Sequence, residues 1–546
     1  MKAMRYLSFV IYHLSFSIAL TSCSDFFDPS NESVVATGEA INTQRQAFYQ
    51  MNGILRCLQD VADSYLVTGE LRADLLTTTK NSSRDLRDME QFTADSANTY
   101  YAKGRYYALI RNCNYLIEHI DTTILVRGRR VLLDEYRQAK AIRAWAYLQL
   151  ALDYGIVDYF TDARLEGQGA PQPMPFDQLI DVLIADLSPC CPRAESEQER
   201  MPAYGTIESL PSEVLFLPAR FVLGELYMWK QDFSKAALMY YELMLNRRLT
   251  VRSSYRNAWN ANATGDADRL VKVWTNQFEA VDTTNFVSII PFNDGSVKTE
   301  GVSVLDSLFS YTAPGGYQLA PTATAVGIWQ SQVYCLAVNN DTVGDLRGCY
   351  GSYTVSDVEQ GQCYELTKWR NMTASHHHYV PIARSALVYL RFAEALNRLG
   401  KPQMAFAVLK HGLTRNVLRN DNYISATEKL GEPFTDFGQL TESKSAVFAN
   451  NAPLHDRGCG NTADNEKYVI TADNAVDSLY FVEDRIIDEY ALECAFEGNR
   501  FHDLMRIAIY RGDNAFLADR VAAKFSEPQR SAMRARLMDQ RNWLLK

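Results

Sequence analysis

The chain has 546 residues, with 65 Asp and Glu against 55 Lys and Arg, a net charge of −10, and 12% aromatic side chains. That acidic balance, with no basic stripe, argues against a nucleic-acid partner. No Pro/Gly/Ser-rich linker or long charge run divides the chain, so one large fold is expected, longer than a single hydrophobic core usually covers.

In chain order, Lys2 and Arg5 precede a largely apolar run from Tyr6 to Leu20, the layout of a secretory signal. The run is short of the ~20 apolar residues of a membrane-spanning helix. Leu20-Thr21-Ser22-Cys23 resembles the lipobox of bacterial lipoproteins, in which the cysteine is acylated and becomes the new N-terminus. The alternative is a chance cysteine in a cleavable signal or a short anchor helix. Removing residues 1–22 takes two positive charges from a net of −10, leaving −12. A mildly acidic, aromatic-rich chain suits neutral or polar small ligands outside the cytoplasm.

Three segments then carry helical periodicity. Gln44 to Leu66 places Ala47, Met51, Ile54, Leu55, Leu58 and Ala62 at helix spacing, and Tyr101 to Ile120 does so with Leu109, Cys113 and Leu116. Leu132 to Asp153 is alanine-rich and meets a stop signal at Gly155.

Leu217 to Leu245 reads as two helices around a Gln231-Asp232-Phe233 turn. Ala219, Leu223, Leu226 and Tyr227 lie on the first, and Ala236, Ala237, Tyr240, Leu243 and Met244 on the second. Small residues that allow close approach alternate with large ones that fill the gap, which resembles a tetratricopeptide repeat. Ala386 to Leu413 repeats the pattern around Leu399-Gly400-Lys401-Pro402. The copies lie roughly 165 residues apart, so a regular solenoid is not expected; each taken alone is equally an ordinary helical hairpin.

Between them, about 250–380, short β-branched and aromatic runs alternate with Gly, Asn, Asp and Pro, the signature of short strands and long loops. Loops on a rigid scaffold are where binding residues collect. Beyond Cys23 there are nine cysteines. No spacing matches a zinc site, Cys57, Cys113 and Cys494 read as small buried hydrophobes, and one loop disulfide among Cys335, Cys349 and Cys363 is open. His376-His377-His378 reads as a solvated turn. Asn339 to Asp345 holds calcium-type oxygens out of the usual order, a weak calcium signal. No other cofactor is implied.

Asp484 to Ala508 closes the pattern. Ile486, Ile487, Tyr490, Ala491 and Cys494 form one stripe, Gly498 a stop and Asn499 a cap. Phe501, Leu504, Met505 and Ala508 form a second apolar face. Glu493, Glu497, Arg500 and Arg506 gather at the corner. The carboxylates could be an acid/base pair; an ion network clamping two helices is the favoured reading. No H-E-x-x-H, G-x-S-x-G or phosphate-binding glycine loop occurs.

Taken together, the lipobox, "CSDFFD", "TGELRADLL", "AIRAWAYLQLALDYG", the two helix pairs and the terminal "ECAFEGNRFHDLMR" resemble a SusD/RagB-family outer-membrane lipoprotein of Bacteroidetes over nearly the whole chain. The resemblance implies a mostly α, non-catalytic fold: a tetratricopeptide-like scaffold (about 40–250 and 380–546) carrying an irregular ligand-facing insertion. It implies a surface lipoprotein anchored at Cys23 and facing outward, Ser24-Asp25 and Asp28 resembling an acidic surface-export signal. It also implies a SusC-like TonB-dependent transporter as partner and a glycan or peptide as ligand. "GIVDYFTDA", where the family tends to have a Val-Pro step, and the loop-rich 419–480 depart from the pattern and put the ligand in doubt.

Family sites use the loop after the first helix and loops of the irregular half, where aromatic faces stack on sugar rings and polar groups orient hydroxyls. Here those supply Asp74, Arg84, Trp274, Phe292, Tyr317 and Trp329, with Trp329 and Tyr317 foremost. For each, burial beneath the loops is the competing reading. A tetratricopeptide scaffold binding proteins through its helices is the alternative of another class.

Overall fold

The computed structural model describes residues 40–546, except 164–170, 193–197, 208–209, 252–273, 275–276, 279–280, 293–304, 312–315, 336–339, 342–343, 350, 359–360, 369–377, 432–447, 449–450 and 473. The signal, Cys23, the acidic residues after it, His376, His377 and part of Asn339–Asp345 lie outside the described residues.

The protein is mostly α. α1 (Gln44–Glu70) starts on a capping box in which the Thr43 side chain and Gln46 satisfy each other's backbone donors. α2 (Lys103–His119) and α3 (Leu133–Tyr154) pack beside it. From Ala141 to Tyr154, α3 is buried around its whole circumference, as befits a helix whose alanines let neighbours approach on every side. Gly155 ends it at φ +77, a conformation that costs glycine little.

α4 (Phe176–Leu187) leads to the first helix pair, α5 (Ala219–Trp229) and α6 (Phe233–Arg247), which meet at Gly224. A Cβ there would lie 2.5 Å from the Tyr240 ring, whose hydroxyl donates to Glu225 at 2.6 Å. α7 (Ala323–Gln330) lies in the insertion, and α8 (Ser385–Arg398) with α9 (Pro402–Lys410) forms the second pair. Although distant in sequence, α6 packs directly on α8. The Tyr389 hydroxyl donates to the Leu249 carbonyl at 3.0 Å and Arg391 pairs with Glu225 at 2.9 Å. The two pairs stack as neighbouring repeats, and the insertion is looped out between them.

α10 (Ala475–Cys494) and α11 (Arg500–Arg511) close the scaffold against α8 and α1. α10 ends at Cys494, short of the expected stop at Gly498; Phe496 (φ +67) and Gly498 (φ +94) shape the corner after it. Asn499 stands at the N-cap position of α11 without capping it. Its side-chain oxygen instead accepts from the Tyr65 hydroxyl at 3.1 Å.

Every sheet among the described residues has two strands. Three ladders run through the insertion, and the first of them ties it to the segment after α1. β1 (Leu76–Thr78) pairs with β3 (Leu319–Pro321), and β2 (Phe286–Phe292) with β6 (His378–Arg384). β4 (Tyr353–Val358) and β5 (Gly361–Leu366) form a hairpin. None of the nine described cysteines forms a disulfide. The loop bridge left open among Cys335, Cys349 and Cys363 is not made, because they sit on three separate ladders or bridges: Cys335 opposite Asn340, Cys349 against Tyr353 and Cys363 opposite Ser356.

Candidate functional site

The segment after α1 and the loop before β3 are stitched edge to edge. Beyond the β1–β3 ladder, the Thr79 amide donates to the Gln318 carbonyl at 3.1 Å and Asn81 Nδ2 to the Gly316 carbonyl at 3.0 Å. The Ser83 amide donates to Gln318 Oε1 at 3.0 Å, and the Ser82 hydroxyl to the Gln318 carbonyl. The Glu90 carboxylate accepts from both hydroxyls of Thr77 and Thr78, at 2.7 and 2.6 Å, pinning β1 from below.

On this seam stand two tyrosines. Tyr311 is 51% exposed and Tyr317 half-buried, their rings edge to face with centroids 5.7 Å apart at 67°. Tyr317 holds φ +57, a left-handed conformation that a bulky residue rarely adopts and that clusters at functional sites. Burial, then the hydrogen bond with the Cys363 thiol, keeps its hydroxyl well above the usual phenol range, hence neutral. The Tyr311 amide donates to Glu365 Oε1 at 2.9 Å, fixing the loop to β5. Exposed Asn81 and Arg84 flank the seam. Arg84 is 90% exposed and pairs with Asp88 at 3.3 Å, an interaction weak enough to be exchanged for a ligand. Ring faces beside amide and guanidinium donors suit a sugar's apolar face and its hydroxyls.

The other four residues expected at a ligand are interior. Trp329 is 2% exposed, donates from Nε1 to the Leu492 carbonyl at 3.3 Å, and lies between Tyr353 and Phe496. Trp274 is 1% exposed, with the Arg457 and Lys368 cations 5.5 and 5.8 Å from its ring. Phe292 closes the buried β2 opposite His378. Asp74 is a bidentate partner of Arg500, 2.8 Å on each arm. These four are therefore enclosed in the interior and offer a ligand no face. Tyr311 was not foreseen; its signal was Pro314-Gly315-Gly316 between two tyrosines, turn chemistry that brings flanking residues together.

The interior around Trp274 and Trp329 is held by charge. Asp345, Glu489, Glu493 and Glu497 meet Arg347, Arg384, Arg457 and Lys368, all buried. Arg347 reaches Asp345 and Glu489 at 2.6 Å and Glu493 at 2.9 Å. Arg384 reaches Glu497 at 2.6 Å and Glu493 at 3.2 Å, while Arg457 takes Glu493 at 3.0 Å and Lys368 takes Glu497 at 2.5 Å. Burial alone would raise the Glu493 carboxyl, but Arg457, Arg384 and Arg347 outweigh it and hold it at about 2. Arg347 and Lys368 belong to the insertion and the carboxylates Glu489 to Glu497 to the C-terminal corner, so the network fastens one to the other. Each of its four carboxylates is paired with at least one buried cation. The corner residues pair outward rather than with each other: Arg500 takes Asp74, and Arg506 takes Glu394 at 2.7 Å. Among the described residues no group of three His, Cys, Asp or Glu could hold a metal.

No protein-family model matches the chain, and no curated protein does. Solved structures match along most of its length. A SusD homolog from Bacteroides thetaiotaomicron superposes at TM-score 0.57 with 14% identity, over 92% of this chain and 95% of that one. A SusD superfamily protein from Bacteroides vulgatus gives 0.55 with 18% identity, over 86% and 89%. A laminarin-binding SusD-like protein gives 0.52 with 14% identity, over 90% and 95%. At these identities the likeness is one of fold: the chain has the SusD fold.

Proposed function

We propose that the protein is a SusD-type surface receptor that binds a glycan on the Tyr311–Tyr317 seam. The edge-to-face tyrosine pair, Tyr311 exposed and Tyr317 half-buried, carries this reading, set where two segments more than 200 residues apart are stitched together. The fold supports it, since one structure of the same fold is of a laminarin-binding protein. Tyr317 stacks on the ring, Tyr311 closes one side, and Asn81 and Arg84 orient hydroxyls. The glycan is then passed to a SusC-like TonB-dependent transporter, with Cys23 lipidated and the chain held on the outer face of the outer membrane. The chemistry is binding alone. Titrating the chain from Ser24 with oligosaccharides tests this: Tyr311→Ala and Tyr317→Ala should each weaken binding roughly tenfold at an unchanged melting temperature. Equal affinity in both variants rejects the seam.

A further inference from the structure

Residues 124–131 read Ile-Leu-Val-Arg-Gly-Arg-Arg-Val. Leu125 pairs with Arg130 and Val126 with Arg129 around Arg127 (φ +51) and Gly128 (φ +78), the two-residue turn that matches strand twist. The Val131 amide closes the base on the Ile124 carbonyl. Leu125 is 62% and Val126 52% exposed, and the three arginines are exposed as well. Each face of the ribbon thus presents one aliphatic side chain beside one guanidinium.

Behind the ribbon lie two adjoining cavities of about 340 and 250 Å³ that share Arg129 and Arg200. Arg130 and Arg137 line the first and Arg247 the second. Of the acids on their walls, Asp134 is taken by Arg129 at 2.5 Å, and Glu199 by Arg220 at 3.3 Å and the start of α5, leaving Glu213. Arg247 Nη2 is buried without a hydrogen-bond partner. A local excess of cations on a chain of net charge −10 calls for an anion.

The hairpin also stands where the chain enters the fold. The Ile41 amide donates to the His119 carbonyl at 2.8 Å and the Asp121 amide to the Ile41 carbonyl at 2.9 Å. Leu125 is four residues further, within roughly 14 Å of chain, and Ile41 is eighteen residues after Cys23.

We infer that the Leu125–Arg130 hairpin is a membrane contact: its aliphatic tip enters the headgroup region of the bilayer, and the arginines around the two cavities bind lipid phosphate. This rests on the lipidated Cys23 of the proposed function, which would hold the hairpin near a bilayer. Aliphatic side chains at the headgroup boundary with long basic ones beside them is the pattern of interfacial binding, and planar guanidinium matches phosphate oxygens two at a time. An acidic glycan in the cavities would use the arginines and touch Leu125, which lines the first, but would leave Val126, on the other face of the ribbon, uncovered.

The chain from Ser24, which keeps every described residue and carries no acyl group, can be sedimented with vesicles of phosphatidylcholine alone or with added phosphatidylglycerol. Wild type should partition onto the anionic vesicles. Arg127→Ala and Arg130→Ala should each weaken this roughly fivefold, and Leu125→Ser/Val126→Ser should weaken it with the melting temperature unchanged. No preference for anionic vesicles, or undiminished binding by the Leu125/Val126 variant, overturns the inference. Arginine-dependent capture of a sulfated oligosaccharide without vesicle binding would overturn it in favour of a glycan groove. Because the acyl group is absent here, such failures leave the Cys23 anchor standing, and acyl labelling judges that separately.

Discussion

At the residue scale, exposure separates recognition from architecture. Tyr311 and Tyr317 present ring surface, whereas Trp329 is enclosed by Tyr353, Phe496 and the backbone of Gly348, whose Cβ would come within 2.7 Å of the tryptophan. Trp329→Ala should therefore cost roughly 3–5 kcal/mol of stability in chemical denaturation, and any loss of binding should track unfolding. Glu493 makes a pH prediction. Its carboxyl goes from 4.5 to about 2 on folding, so its contribution is complete above pH 4.5 and disappears as the pH falls toward 2. Glu493→Gln leaves three arginines short of a partner. It should destabilise by roughly 3–5 kcal/mol at neutral pH and flatten the acid limb of melting temperature against pH; an unchanged acid limb would contradict the clamp. Glu70 runs the other way. Burial raises it to about 7 against the pull of the Gly498, Phe496 and Arg500 amides, so its stabilisation is complete below pH 4.5 and lost as pH rises through 7. Glu70→Gln should remove that decline.

At the scale of elements, two motifs quoted separately from the sequence are halves of one joint. Glu70 accepts the amides of Phe496, Gly498 and Arg500 at 3.0, 2.8 and 3.4 Å, and Asp74 takes the Arg500 guanidinium. A Cβ on Gly69 would fall 1.8 Å from the Gly498 carbonyl oxygen, and one on Gly498 2.5 Å from the Tyr65 ring. Gly69→Ala should thus prevent folding to a soluble monomer, measured as yield and melting transition, where Gly53→Ala, with open space around its Cβ, should be tolerated. Local periodicity was enough to read α1, α3, both helix pairs and the corner, because buried stripes repeat within one element. The joint was not legible: its partners are separated by more than 400 residues, and an isolated carboxylate carries no mark of whose amides it will accept. For the same reason Asp74 read as a ligand group and proved to be a brace. Aromatic residues in the insertion looked alike because composition does not encode which side of a two-stranded ladder faces solvent.

At the scale of the molecule, a helical scaffold with stacked pairs α5–α6 and α8–α9 holds an insertion through the β1–β3 ladder and a buried network of balanced charge. Small ladders alone are marginal; the network and buried Trp329 tie the insertion to α10 and the corner after it. No helix among the described residues is long and apolar enough to cross a membrane. Attachment is proposed at Cys23, so Cys23→Ala should abolish labelling by an acyl precursor, and retained labelling would refute the anchor. The central claim is glycan capture on the tyrosine seam. Its most direct test is calorimetry of the chain from Ser24 against polysaccharides, oligosaccharides and peptides, with wild type beside Tyr311→Ala/Tyr317→Ala. Saturable heat with one glycan class, lost in the double variant, is the result expected. Heat with peptides alone, or glycan binding indifferent to both tyrosines, would contradict it.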